Sequence, residues 1–270
     1  MTTAEAPAWF NVIEVSSGVW RINNRGHVNI YLIAGTDRAL LIDTGWGIGD
    51  LRGVVETLTA LPLTVVNTHG HVDHVFGNWQ FPDALLDPAD IPMAQENYTV
   101  ERHRMALQRL GSPYPRGFSP DDWVATLAPP FQPLPTDYAF ALGGRTVRSI
   151  PVPGHTPGAV CLLDDVSRTL FAGDSVLQGP VLLHLPGALP LADYAASLDR
   201  LSAFLPHFDT VYPGHGPVPQ PASRVNDLRQ GVRAILNGEV VGDSTQTPLG
   251  DGYLATFPST SILYRPDHLR

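Results

Sequence analysis

The chain has 270 residues, with 26 acidic against 17 basic side chains and a formal charge of −9. A hydrophobic share of 43% with only 16% charged residues excludes a disordered chain and permits a large buried core. The negative balance argues against nucleic acid, whose readers carry a basic stripe; no apolar run of about 18 residues offers a membrane span; and MTTAEAPAWF lacks the basic-then-apolar order of a secretory leader, so the expected compartment is the cytoplasm.

There are no repeats and no low-complexity linker, so the chain is read as one α/β domain over residues 1–270. Residues 12–43 read as strands: VWRIN and VNIYLIA are rich in β-branched and aromatic residues, and ALLID is a buried strand running into Asp43-Thr44-Gly45. Leu51, Val54, Val55 and Leu58 then keep helical spacing, and LTVVNTHG is a further buried strand ending in polar residues. An insertion follows at about 82–137. Residues 88–111 look helical with Gly111 as a stop, and Ser112 to Asp137 holds seven prolines with several aromatics. Such a loop is either a lid over a pocket or a packing and dimer surface. RTVRSIPV, AVCLLDD and TLFAGD read as short strands. A helix starts at Leu191, DTVYPGHG is a strand and turn, a helix carries Val225 to Ile235, and TSILYR is a candidate last strand. Cys161 falls inside one of these strands, and as the single cysteine it forms no internal disulfide.

The chemistry concentrates in Thr68-His69-Gly70-His71-Val72-Asp73-His74, with three histidines and one aspartate within six residues after an apolar strand. Imidazole and carboxylate suit borderline divalent ions such as zinc. If residues 69–71 are extended, His69 and His71 point the same way, because side chains alternate with period two. A turn at Asp73 then sends Asp73 and His74 toward a second point, so one segment can serve two neighbouring metals. His155 in PGHTPG, Asp174 in FAGD and His215 in PGHG each end a predicted strand at a glycine-flanked turn. Among the other histidines, His27, His103, His207 and His268 read as ordinary surface or internally satisfied residues. His184, which follows Asp174 closely, is a candidate for the substrate pocket.

These segments, LIDTG at 41–45, THGHVDH at 68–74, GHTPG at 154–158, GD at 173–174 and PGHG at 213–216, resemble the metallo-β-lactamase-fold superfamily over roughly residues 12–240. The resemblance implies a four-layer αββα sandwich with metals at the sheet edges. It implies that His69, His71 and His155 bind a first metal, that Asp73, His74 and His215 bind a second, and that Asp174 bridges both. Asp43 resembles the carboxylate that orients metal ligands. The bridging aspartate sets the chain apart from true metallo-β-lactamases and aligns it with the glyoxalase II, lactonase and phosphodiesterase branches. The lactonase tyrosine three residues after that aspartate is replaced here by Leu177, and the short tail, 217–270, contains no lysine and is poor in the basic clusters of glyoxalase II.

The expected cofactor is therefore two divalent metal ions, zinc first, with iron or manganese as alternatives. The expected activity is hydrolysis of an ester, thioester or lactone by a metal-bridging hydroxide, with Asp73 moving a proton and no serine or cysteine nucleophile. Phosphodiester hydrolysis and weak β-lactam turnover are the alternatives within hydrolases. A metal-dependent polyketide cyclase and an iron-dependent sulfur dioxygenase are those of another class. Trp79, Tyr98, Tyr114, Phe118, Trp123 and Phe131, with VLLHLPGALPL after Asp174, suit a partly apolar small-molecule substrate or serve as packing. A homodimer through the aromatic loop is the remaining expected partner.

Overall fold

The computed structural model describes residues 9–270. Most of the stretch read for a secretory leader, residues 1–8, lies outside the described residues.

The chain opens with β1 (Phe10–Ser16), β2 (Val19–Asn24), β3 (Val28–Ala34) and β4 (Ala39–Ile42), then α1 (Leu51–Leu58) and β5 (Leu63–Val66). The helix α2 (Val72–Val75) runs straight into a 3-10 turn, Phe76–Gln80. Next come β6 (Leu85–Leu86), α3 (Ile91–Asn97), α4 (Val100–Leu110), α5 (Pro120–Val124) and β7 (Gln132–Pro133). The second half holds β8 (Ala139–Ala141), β9 (Thr146–Pro151), β10 (Val160–Asp164), β11 (Thr169–Gly173), β12 (Pro180–Leu183) and α6 (Leu191–Ser202). It continues with β13 (Thr210–Pro213), β14 (Gln220–Pro221) and α7 (Arg224–Leu236), and closes with β15 (Asp243–Thr247), β16 (Gly250–Thr256) and β17 (Ser261–Tyr264).

Strands β1 to β7 form one sheet in sequence order, and a second sheet runs β14-β13-β11-β10-β9-β8. A third, four-stranded sheet runs β12-β17-β16-β15. Alternation along the buried strands divides their side chains between two layers. From β3 and β4, Tyr31, Ile33, Leu40 and Ile42 face Val160, Leu162, Phe171 and Tyr212 in the space between the first two sheets. Their neighbours Ile30, Leu32, Ala39 and Leu41 face the other way, onto Leu51 and Val55 of α1. From β10 and β11, Cys161, Leu163, Leu170 and Ala172 meet Tyr194, Leu198, Val225 and Leu228 of α6 and α7. The result is helix, sheet, sheet, helix, the four-layer α/β sandwich expected from the sequence.

The segment 82–137 differs in detail from its sequence reading. The helix expected over 88–111 is two helices, broken at Tyr98–Thr99, where Thr99 caps α4 by accepting from the Arg102 N–H. The proline-rich stretch contains α5, capped by Ser119 with Pro120 in its first turn, and it returns to the first sheet as β7. Trp123 and Phe131 are buried with Phe76, Ala106 and Leu110 in an apolar cluster of their own. The tail strand TSILYR forms as β17, which pairs parallel to β12 and antiparallel to β16. Among the described residues, no helix is long and apolar enough to cross a membrane.

Candidate metal centre

Every ligand candidate follows the C-terminal end of a strand. In the first sheet β4 and β5 run parallel, and they deliver Asp43 and the segment 68–74 to one edge. In the second sheet β9 and β11 both run antiparallel to β10, and β13 runs parallel to β11, so His155, Asp174 and His215 leave at one edge. Backbone bonds stitch the edges together: Val160 N–H donates to Thr68 O at 2.9 Å, and Asn29 N–H donates to Gly214 O at 2.7 Å. The seam is so close at Gly214 that a Cβ there would sit 2.7 Å from both Asp174 Oδ1 and His74 Cε1. Gly173 has φ +48°, and a side chain on it would strike Thr68.

Along this seam the structure brings His69, His71 and His155 into one triplet and Asp73, His74 and His215 into another. His71 Nδ1 lies 3.1 Å from His69 Nε2 and 2.9 Å from His155 Nε2. Zinc–nitrogen bonds of about 2.0–2.1 Å around a tetrahedron place ligand nitrogens roughly 3.3 Å apart, so the donor set has the size of a metal site. Asp174 stands between the triplets, with Oδ2 3.7 Å from His155 Nε2 and 3.4 Å from His215 Nε2. Its Oδ1 is buried without a hydrogen-bond partner among the described residues, 3.5 Å from His74 Nε2. A buried carboxylate oxygen left unpaired is costly unless a cation supplies the partner.

The ring nitrogens turned away from the seam are anchored, which sets the tautomers. His155 Nδ1–H donates to Leu182 O at 2.7 Å, and His215 Nδ1–H donates to the His27 carbonyl. His74 Nδ1–H donates to Asp43 Oδ2 at 2.7 Å. Asp43 Oδ2 also accepts from the Thr68 hydroxyl at 2.9 Å, and its Oδ1 accepts from Thr68 N–H at 2.7 Å. The Thr68 hydroxyl oxygen then accepts from His69 Nδ1–H at 3.1 Å. Each of these four rings thereby turns its Nε2 toward the seam. Asp43 itself holds φ 64°, a left-handed conformation that aspartate tolerates better than most residues.

The two triplets differ in charge. Burial, then the neighbouring imidazoles, depress His69 well below the usual histidine range, and burial with His155 brings His71 to about 3. Burial also lowers His155, so the first triplet is three neutral imidazoles. Burial opposes charge on His74 as well, yet Asp43, Asp174 and Asp73 raise it to about 9. His215 is likewise raised well above its ordinary value, against burial, by Asp174 and Asp73. In return His74 and His215 hold Asp73 and Asp174 well below the carboxylate range despite burial. The second triplet thus balances carboxylates with protons, and a divalent cation can take the place of those protons.

His184 joins neither triplet. It is buried beyond the end of β12, with Nδ1 unpartnered and Nε2 3.5 Å from Thr247 Oγ1. His103 stacks on Phe76 with ring centroids 4.5 Å apart and bonds Thr99 O and Thr126 Oγ1, so it is internally satisfied. His207 is on the surface beside Asp165. Burial pushes the Cys161 thiol far up, and the side chain packs under the outer helices away from the seam.

Sequence reasoning missed the polar groups that hold the ligand loops. Asn67 Nδ2 donates to His74 O at 2.8 Å, and Thr44 N–H donates to the same carbonyl at 2.9 Å. Asp90 is fully buried and accepts from Gly70, Thr156 and Gly158. Its only local signal is an aspartate before a helix that has proline in its first turn, which reads as an ordinary cap. A cavity of about 600 Å³ is lined by Gly49, Asp50, Trp79, Arg116, Phe118 and Trp123, and no member of either triplet lines it. Of the aromatic residues considered for a substrate wall, Trp79 is 44% exposed on this cavity, while Trp123 and Phe131 serve mainly as packing under Phe76.

Residues 23–215 match the family model of the metallo-beta-lactamase superfamily. The chain is 29% identical to an acyl-coenzyme A thioesterase, MBLAC2, of Gallus gallus, over 77% of this chain and 80% of that one. It is 27% identical to a probable polyketide biosynthesis zinc-dependent hydrolase, BaeB, of Bacillus velezensis, over 73% and 77% of the two chains. Its fold is similar to that of a metallo-beta-lactamase from Pontibacter korlensis, with a TM-score of 0.61 and 21% identity over 83% of this chain and 99% of that one.

Proposed function

The chain belongs to the metallo-β-lactamase superfamily and is a hydrolase of that fold, and we propose that it cleaves acyl thioesters with two divalent ions, zinc first. The observation that carries the metal reading is the pair of triplets joined by Asp174, whose buried Oδ1 has no hydrogen-bond partner among the described residues. The likeness to an acyl-coenzyme A thioesterase supports the thioester over the ester and the lactone. In this reading His69, His71 and His155 would hold one ion and Asp73, His74 and His215 the other, with Asp174 placed between the two sets.

When bound, such a pair supplies a Lewis acid for the carbonyl oxygen and brings water toward ionisation at neutral pH. The chain's own residues do the rest. Asp43 fixes the His74 ring through Nδ1, and the Leu182 and His27 carbonyls fix His155 and His215, so their lone pairs are aimed before substrate arrives. Asp73 lies 3.1 Å from His215 Nε2 at the more exposed side of the seam, and in this reading its carboxylate is placed to accept the proton that water loses. Water oxygen bonds to the acyl carbon, the C–S bond breaks, and the thiolate leaves with that proton, giving a carboxylic acid and a thiol. Buried Cys161 and Ser175 are not needed as nucleophiles.

The test is elemental analysis of the purified protein, followed by a panel of acyl-coenzyme A thioesters, lactones, aryl esters and phosphodiesters, with free thiol read by a chromogenic disulfide. Two zinc ions with thiol release that ends on chelation is the expected result. Activity confined to phosphodiesters, or one iron per chain with oxygen consumption, overturns the assignment.

A further inference from the structure

We propose that Asp90 is a positioning residue that sets the geometry of the first triplet and not of the second; this rests on the metal reading above. Asp90 is the residue before α3, where an aspartate ordinarily accepts from the free N–H groups of the first turn. Its side chain makes no such bond. The carboxylate turns away from its own helix to the two loops that carry the first ligand set. Oδ2 accepts from Gly70 N–H at 2.8 Å and from the Thr156 hydroxyl at 2.6 Å, and Oδ1 accepts from Gly158 N–H at 2.7 Å. Gly70 lies between His69 and His71, and Thr156 follows His155 directly. One fully buried carboxylate therefore ties together two segments that belong to different sheets.

The closeness of the packing is an independent observation. A Cβ on Gly70 would sit 2.9 Å from the Asp90 carbonyl oxygen, and one on Gly158 would sit 2.9 Å from Asp90 Cγ. Glycine on both loops lets their backbones seat on Asp90, so its oxygens fix the span that His71 Nδ1 and His155 Nε2 close to 2.9 Å. The second triplet is held by other groups: Asp43 on His74, the His27 carbonyl on His215, and Asn67 with Thr44 on the His74 carbonyl.

The difference between the triplets gives the test. The metal-free protein is titrated with cobalt(II), read by visible absorption against a competing chelator, and both dissociation constants are fitted. H71A and H215A identify which constant belongs to which triplet. An asparagine at position 90 keeps one acceptor oxygen and points an NH₂ group at loop donors. D90N is expected to weaken the His69/His71/His155 site about 10- to 100-fold, the range for groups that orient ligands, and to leave the other site within about threefold. D43N is expected to weaken the second site through His74 and the first as well through Thr68 and His69, so its pattern differs from the one-site effect of D90N. T156V removes one of the three bonds and should weaken the same site as D90N by less, which keeps the test intact if D90N does not fold. Unchanged constants in folded D90N, or equal weakening of both sites, overturn the positioning role. Failure of the unaltered protein to bind cobalt overturns the metal reading instead.

Discussion

Replacing Asp43 with asparagine tests how far the site depends on anchoring of its ligands. Asp43 is 1% exposed and accepts from Thr68 N–H at 2.7 Å, the Thr68 hydroxyl at 2.9 Å and His74 Nδ1–H at 2.7 Å. Asparagine offers one oxygen and one NH₂ group. If the oxygen keeps Thr68 N–H, the NH₂ group faces the hydroxyl and the imidazole. The hydroxyl can rotate and accept. The His74 ring accepts only by moving its proton to Nε2, the atom that faces Asp174 at 3.5 Å and whose lone pair the proposed metal would take. Either the ring loses its anchor or its lone pair points the wrong way. A hydrogen bond to a charged group is worth about 1.5–3 kcal/mol. At about 1.4 kcal/mol per factor of ten, the second site should lose roughly 10- to 100-fold in zinc affinity. A competition titration with a chromophoric chelator measures this, and thermal unfolding checks that the variant is folded. A folded D43N that binds both zinc ions within twofold of the unaltered protein would refute the anchoring argument.

His71→Ala should abolish turnover, leave the fold near intact and bring metal content from two ions toward one; normal turnover excludes His71 as a ligand. In the chelated protein His74 titrates near 9 in the folded state against 6.5 unfolded, so its contribution is full below pH 6.5 and lost as pH rises through 9. The depressed His71 acts oppositely, its contribution being present above pH 6.5 and lost on acidification toward 3, and His69, held well below its ordinary value by burial, acts in the same direction. The urea midpoint of the metal-free protein should therefore peak near pH 6.5 and fall on both sides, and a midpoint that climbs from 6.5 to 9 would contradict the charge assignment. Phe118→Ala and Trp79→Ala, on the wall of the 600 Å³ cavity, should change preference among acyl chain lengths at constant metal content; loss of metal would make that wall part of the centre. Chelation should lower the unfolding temperature and zinc should restore it, because an ion at 100 times its Kd adds about 2.7 kcal/mol to the folded state.

The 112–137 segment shows why a point substitution is the better probe of the cavity. A proline-rich loop between two periodic stretches suggests a detachable cover. In the structure Trp123 and Phe131 fill the cluster around Phe76, two residues beyond His74, and β7 continues the first sheet. Removing the loop would expose that cluster and shift the helical run that carries His74.

Much of this protein is legible in its amino-acid sequence because the information is local. The buried strands alternate or run apolar over a few residues, the amphipathic helices keep their spacing, and His-x-His-x-Asp-His is contiguous, so β3 to β5, α6, α7 and the core of the ligand set can be read from short windows. What depends on pairing across the chain was hidden. Strand β15, DSTQT, is polar and mostly exposed, and only its partner β16 makes it a strand. Asp90 looks like a helix cap until the loops at 70 and 156–158 arrive on it. The carbonyls of Leu182 and His27 carry no side-chain signature at all, yet they orient two of the ligand candidates, His155 and His215. Residue identity and spacing are enough to name the donors and to put them after strand ends. That these ends meet at one seam, which ring nitrogens face it, and which buried groups hold them follow from folding, because hydrogen bonds between segments tens of residues apart exist only once the two sheets have packed.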